Sequence, residues 1–292
     1  MGSAAHDFAA LVSDEDFARF QALVNREAGI WLSPVKKALL VGRLSRRLRE
    51  LGIATFGAYF ELVSADADER VRMLDAIATN ETHFFREPRH WEFLAEHHLP
   101  ALRAQADAGL RPRRLRAWSA ACSTGEEPYS IAMTLLAAFP TGWDLEVFAS
   151  DLSTKALDKA QRATWPIGKS GEIPPEYLKA FMLRGHGGQA GLMRAGHQAR
   201  ALCTFSRLNL VEAVAPAIGS FDLVFCRNVL IYFDRDSRAK VIGRLIERLA
   251  PEGLLFVGHA ETLANVTTLV RPILPTVYQR VGSAPGGGAG TP

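Results

Sequence analysis

The sequence predicts an α/β protein in two parts: a small all-helical N-terminal domain over residues 1–78, then a doubly wound domain of alternating strands and helices over 93–282. Three observations carry this. Residues 1–78 show helix-type apolar spacing and no alternating run. From about residue 115, short apolar β-type runs alternate with helical stretches, the pattern of a parallel sheet covered on both faces. Between them, NETHFFRE at 80–87 fits neither rhythm, because Phe84 and Phe85 stand among Asn80, Thr82, His83, Arg86 and Glu87. That stretch is read as a linker over 79–92, with Phe84 and Phe85 expected to anchor it in an apolar seam between the two domains.

In chain order, Ser13 is a helix cap with acidic residues behind it, and Gly29 is the stop. Ser33 caps the next helix, with Pro34 at its first position and Gly52 as terminator. TFGAYFELVS and ADERVRMLDAIAT supply two more helices. In the second part, LRAW is a strand, SAACSTGEEP a small-residue loop and YSIAMTLLAAF a helix. LEVFASD is a strand, TKALDKAQRA a helix and FDLVFCRNVL a strand running into a turn. RDSRAKVIGRLIERLA is a helix and GLLFVGHAE a strand. VTTLVRPILPTVYQRV reads as two strands around a turn, hence an antiparallel edge. The Gly/Pro-rich stretch over 283–292 is expected to be a disordered tail.

Composition narrows the function. Of 292 residues, 48% are hydrophobic and 22% charged, ordinary for a globular protein, and the net charge of +3 is too small to imply nucleic acid. Cys122, Cys203 and Cys226 are scattered and odd in number, so neither a disulfide framework nor a CxxC metal site is expected, and a reducing, cytoplasmic location is. No apolar run approaches a membrane span, and the first residues lack signal-peptide and myristoylation patterns. His90, His97 and His98 lack an HExxH or cysteine partner and are expected to be exposed helix residues, with no metal.

In open α/β sheets, ligands bind at the carboxyl ends of the strands. The first such loop, WSAACSTGEEPYS, is built of small residues and opens a helix, but it has Gly125 alone and not GxGxxG. Glu126 and Glu127 would repel a pyrophosphate and favour a ligand with a positive group. Asp151 ends the second strand, where a carboxylate commonly takes ribose hydroxyls; a helix-capping role is equally consistent with its position. At the third strand end, Cys226 and Arg227 face the ligand through their backbone, with Asn228 and Tyr232 within reach of a reacting centre; a turn asparagine and a packed tyrosine are the plain alternatives. An acidic loop, a ribose carboxylate and no phosphate loop together point to S-adenosylmethionine.

These motifs resemble those of the CheR family, the chemoreceptor glutamate O-methyltransferases of bacterial chemotaxis. TNETHFFRE, WSAACSTGEEPYSIA, FASDLSTKALDKA, RLNL, FDLVFCRNVLIYFD and GLLFVGHAETL occur in order, and the resemblance spans roughly residues 10–280. It implies a Rossmann-like methyltransferase domain with an inserted antiparallel β-subdomain at about 180–206. It also implies that Asn80, Thr82 and Arg86 contact S-adenosylmethionine, with Glu127 near its amino-acid portion or ribose and Asp151 on the ribose hydroxyls. Asn209 and Leu210 are implied to flank the adenine, Cys226 and Arg227 to contribute at the strand end, and Arg86 and Tyr232 to lie near the transferring methyl. The implied products are a glutamyl methyl ester and S-adenosylhomocysteine. Some members of the family hold a receptor-tail peptide on the β-subdomain edge, although Gly185, Gly187, Gly188 and Gly191 equally suit plain hairpin turns.

Residues 1–78 carry ten Lys/Arg and eleven Asp/Glu, yet 36–49 holds Lys36, Lys37, Arg43, Arg46, Arg47 and Arg49 with no acidic residue. A solvated helix face is the bland reading. The lack of i,i+4 acidic partners favours an acidic partner instead, with Lys36, Arg43, Arg46 and Arg47 as substrate-binding residues. The resemblance implies that this partner is the methylation helix of a chemoreceptor, and a monomer is expected. The competing expectations are a methyltransferase of RNA or another protein, and a non-enzymatic signalling module that binds S-adenosylmethionine without turnover. No aromatic platform is interleaved with the cations, which disfavours RNA.

Overall fold

A computed structural model describes residues 12–139, 141–212, 218–263 and 266–281. The expected tail at 283–292 lies outside them. The helical part begins with α1 (Asp14–Ala28), where the Ser13 hydroxyl accepts the Asp16 N–H at 2.9 Å. Gly29 ends it in the left-handed region at φ 68°, where a Cβ would also run into Val211 and Phe233 of the second domain. A 3₁₀ turn at Pro34–Lys36 precedes α2 (Lys37–Leu51), and Ser33 makes no side-chain cap bond, so the helix starts three residues later than its cap signal predicts. Helices α3 (Phe56–Ala65) and α4 (Ala67–Ile77) are capped by Thr55 and Asp66. Phe20 is fully buried among Phe56, Tyr59 and Phe60, with ring centroids 5.2–6.3 Å apart. Each such ring contributes roughly 2–3 kcal/mol by leaving water.

The linker runs extended and turns at Phe85 and Glu87, which both adopt positive φ. It ends at α5 (Pro88–Phe93), earlier than the predicted boundary of 92, because Pro88 suits a first helical position. A π-helical turn at Leu94–His98 leads into α6 (Leu99–Asp107).

The second domain alternates as predicted: β1 (Arg114–Ala120), α7 (Glu126–Ala138), β2 (Asp144–Asp151) and α8 (Thr154–Arg162). Then come β3 (Thr164–Pro166), α9 (Pro175–Phe181), β4 (Met182–Arg184), β5 (Leu192–Ala195), α10 (His197–Leu202) and β6 (Cys203–Arg207). Last are β7 (Phe221–Cys226), α11 (Arg235–Glu247), β8 (Leu249–Val257), β9 (Val270–Leu274) and β10 (Val277–Arg280). The large sheet has the order β6-β2-β1-β7-β8-β10-β9. Its first five strands are parallel, and β10 and β9 form the antiparallel edge. The order reverses between β1 and β7, so the switch-point crevice opens above their carboxyl ends.

Two expectations change. The antiparallel subdomain is β3-β5-β4, so it begins near residue 164 instead of 180, and Cys203–Arg207 leaves it for the large sheet, paired with β2. Alternating apolar residues suit either sheet; the packing of Phe205 toward Tyr129 accompanies the second choice. Phe84 and Phe85 do not fill a seam between domains. Phe84 packs edge-on against Trp165 at 4.9 Å, and Phe85 packs against Trp91 at 5.2 Å and Tyr177 at 5.4 Å, all within the α/β core.

The domains meet through polar ties. The Trp31 N–H donates to the Tyr232 carbonyl at 2.7 Å, Asn25 to Asp234 at 2.6 Å, and the Thr154 hydroxyl to Asp75 at 2.7 Å. The helical domain thereby roofs the switch-point crevice.

Candidate active site

The crevice is an open cleft lined by the loops after β1, β2, β6 and β7, the linker and the helical domain. Asp151 stands at the end of β2 on its wall, 8% exposed. Its two oxygens accept the Ser153 and Ser123 N–H groups, each at 2.8 Å. The side-chain cap of α8 is Ser153, which accepts the Ala156 N–H, so Asp151 braces the loop after β1 and presents a carboxylate to the cleft. Burial pushes its pKa up against the pull of those N–H groups.

The adjacent glutamates point apart. Glu127 lines the cleft, accepts the Ser119 hydroxyl at 2.6 Å and pairs with Arg227 at 3.3 Å. Burial raises its pKa, opposed by Arg227. Glu126 turns away to Lys169 at 2.5 Å and Thr124 at 2.6 Å. Only one of the pair therefore meets a ligand in the cleft. The Lys169 ammonium also donates to the Thr82 carbonyl at 3.0 Å, and the Ser123 hydroxyl to the Asn80 carbonyl at 3.1 Å, which hold the linker over the cleft.

Asn80, Thr82, Arg86, Asn209, Leu210, Arg227 and Tyr232 all line the cleft, as do Lys36 and Arg43. Arg86 is half-buried and makes one long bond, 3.4 Å, to the Glu81 carbonyl, which leaves most of its fork free. The side chain of Asn209 is committed to the Glu27 carbonyl at 2.6 Å and to Glu212 at 2.9 Å, while Leu210 supplies apolar wall. Cys226 is not on the wall: strand alternation turns its side chain into the helix-covered core, and Arg227, Asn228 and Val229 line the cleft instead.

The basic run on α2 does have acidic partners, contrary to the sequence reading. Glu50, one residue beyond the run, pairs with Arg46 at 2.9 Å and with Arg47 at 3.2 Å. Glu69 of α4, 3% exposed at its side chain, takes both ends of the Arg47 fork at 2.6 and 2.7 Å. Lys36 and Arg43 are the cations of the run that face the cleft; Arg43 donates to the Ile77 carbonyl and to the Thr79 hydroxyl, and Lys36 lies 5.6 Å from the Tyr232 ring.

Sequence reasoning missed Glu87 and misplaced two histidines expected to be exposed: His90 is fully buried and His98 half-buried. Glu87 accepts from Arg227 at 3.1–3.2 Å and from the His259 N–H at 3.0 Å, with His90 Nδ1 at 3.4 Å. Burial lowers the His90 pKa, so its ring is neutral near pH 7. Ligand-type atoms of Glu87, His90 and His259 lie within 4.8 Å of one another. Within that cluster Glu87 is already paired with the Arg227 guanidinium. Nothing near Glu87 in sequence distinguished it, because its partner lies 140 residues away.

An adenosyl cofactor with a cationic amino-acid end fits this cleft: two carboxylates, Asp151 and Glu127, line it, and no phosphate loop accompanies them. The sheet order and the carboxylate after β2 are those of a Rossmann-like domain that binds an adenosyl cofactor. Comparison with known proteins agrees. Residues 80–278 match the CheR methyltransferase SAM-binding domain, and residues 15–78 match the CheR methyltransferase all-alpha domain. The chain is 41% identical over 266 residues to chemotaxis protein methyltransferase 2 of Pseudomonas aeruginosa, covering 90% of this chain and 92% of that protein. It is 40% identical over 260 residues to the chemotaxis protein methyltransferase of Salmonella typhimurium, covering 87% and 86%. The Escherichia coli protein of that name is 38% identical over 260 residues, covering 87% of each chain. The chain belongs to the CheR methyltransferase family, and its cofactor is S-adenosylmethionine.

Proposed function

We propose that the protein methylates glutamate side chains on the cytoplasmic methylation helices of chemoreceptors, forming γ-methyl esters and S-adenosylhomocysteine in chemotaxis adaptation. The carrying observation is that Arg86 and Tyr232 line the cofactor cleft together with Lys36 and Arg43 of the helical domain. S-adenosylmethionine, when bound, supplies an electrophilic methyl group on a sulfonium. Asp151 and Glu127 hold its ribose and cationic end, Asn80 and Thr82 close over it, and Asn209, Leu210 and Arg227 complete the wall. A glutamate carboxylate is ionised near neutral pH, its reference pKa being about 4.3, so no general base is required. Arg86 aligns that carboxylate through its free fork, and Tyr232 bounds the same space. A firm grip would stabilise the ground state, so the contribution of Arg86 is orientation in a site with little water.

The surroundings suit a glutamate-bearing amphipathic helix. Trp31, Val35, Leu39 and Ile231 are exposed large apolar residues on segments bordering the cleft, beside Lys36 and Arg43. Arg46 and Arg47 widen the positive potential, at reduced strength because Glu50 and Glu69 face them. A receptor-tail peptide, where one is used, would add to an outer strand of the subdomain, β3 or β4. The same reading takes the protein as a cytoplasmic monomer that uses no metal and binds no nucleic acid. No described helix is long and apolar enough to cross a membrane. The test is transfer of radiolabelled methyl from S-adenosylmethionine to soluble receptor fragments. Base-labile label on the fragment supports a glutamyl ester; label on RNA, or cofactor binding without transfer to any receptor fragment, overturns it.

A further inference from the structure

Glu87 stands behind the cleft wall, 8% exposed, yet its contacts lead directly to the cofactor site. One oxygen accepts the Arg227 guanidinium; the other accepts the His259 N–H at 3.0 Å and the Asn228 amide at 3.5 Å. The Arg227 side chain is 2% exposed, and its remaining donors reach Glu127 at 3.3 Å and the Arg86 carbonyl. One guanidinium is therefore shared between a carboxylate outside the cleft, a carboxylate inside it and the backbone that carries Arg86. Glu87 is held at φ 60°, a conformation that a non-glycine residue adopts at a cost, and α5 starts immediately after it.

We propose that Glu87 is a positioning residue for cofactor binding: through Arg227 it leaves the Glu127 carboxylate available to the cationic end of the cofactor. This rests on the methyltransferase reading above. With Glu87 charged, Arg227 divides its charge between two carboxylates. Without that charge, Arg227 pairs with Glu127 alone in a buried setting where attraction is little screened, and the negative potential offered to the cofactor falls. His90, buried and neutral near pH 7, adds no charge of its own to this network. His259 meets Glu87 chiefly through its backbone N–H, which survives side-chain substitution.

The test is Glu87→Gln in the full-length protein, with calorimetric S-adenosylmethionine binding and steady-state methylation of a soluble receptor fragment. KM and Kd for the cofactor are expected to rise at least about tenfold, with kcat at saturating cofactor within about threefold. Glu87→Asp, which keeps the charge, is expected to recover most of the affinity. In a Glu127→Gln background the Glu87→Gln effect is expected to shrink, because the two act through one guanidinium. Cofactor affinity within twofold of the parent, or lost kcat at unchanged KM as a smaller folded fraction gives, overturns the proposal. If Glu87→Gln does not fold, Glu87→Asp carries the test, and a cofactor KM more than about tenfold above the parent despite the retained charge overturns the proposal. Failure of the methyltransferase reading shows separately, as absence of transfer by the parent protein with its cofactor binding intact.

Discussion

Two arginine–glutamate knots use the same chemistry in different places. In the helical domain, Glu69 accepts both ends of Arg47 and the Tyr59 hydroxyl at 2.9 Å, tying α2, α3 and α4 together. In the catalytic domain, Glu87 grips Arg227, whose other donors reach the cofactor wall. The first knot ends in helices; the second ends in a cleft. A buried ion pair thus identifies a functional position only through what its remaining hydrogen bonds touch. The contrast also explains why the cations of α2 are unequal: Arg47 is a strut, whereas Lys36 and Arg43 reach the cleft.

Perturbing each side tests this contrast. The largest effect is expected at Asp151→Ala, which removes a buried charged acceptor: cofactor affinity falls about 100-fold or more, roughly 3 kcal/mol, by calorimetry. Arg86→Ala is expected to lower kcat about 100-fold while cofactor Kd changes little. Near-normal turnover would remove its alignment role. Glu69→Gln acts on the other knot and is expected to cost about 2 kcal/mol of stability without changing cofactor Kd in the folded fraction, by denaturant titration alongside calorimetry. A change in Kd comparable to that of Glu87→Gln would erase the distinction between the knots.

A smaller effect concerns His98, whose pKa is lowered to about 4 by burial and then by Arg111. The unfolded residue titrates near 6.5, so above that pH it costs nothing; as pH falls from about 6.5 toward 4, the unfolded chain takes a proton that the folded protein refuses, and stability drops. His98→Gln is expected to flatten the Tm slope over that window. Smallest is Arg46→Ala, an exposed i,i+4 pair with Glu50, expected to leave Tm within about 1 °C and cofactor binding unchanged.

Much of this was legible in the sequence because it is local. Ser13 and Gly29 bound α1, and β1, the loop after it and the strand that Asp151 ends follow from period and position. The motif stretch 80–87 was recognisably part of the site, and Asn80, Thr82 and Arg86 do line the cleft. Less legible were choices between equivalent patterns. Cys203–Arg207 suits either sheet, Phe84 and Phe85 suit any apolar seam, and two adjacent glutamates give no hint of which one faces a ligand.

The sequence by itself determined the two domains, their helix and strand alternation and the carboxylate at the end of β2, since caps, breakers and periodicity act within a few residues. Only the tertiary structure decided which charges are spent on each other. Glu69 and Arg47 lie 22 residues apart, and Glu87 and Arg227 140 apart. Electrostatic pairing depends on distance in space, and burial, which makes such pairs strong and selective, exists only once the chain has folded.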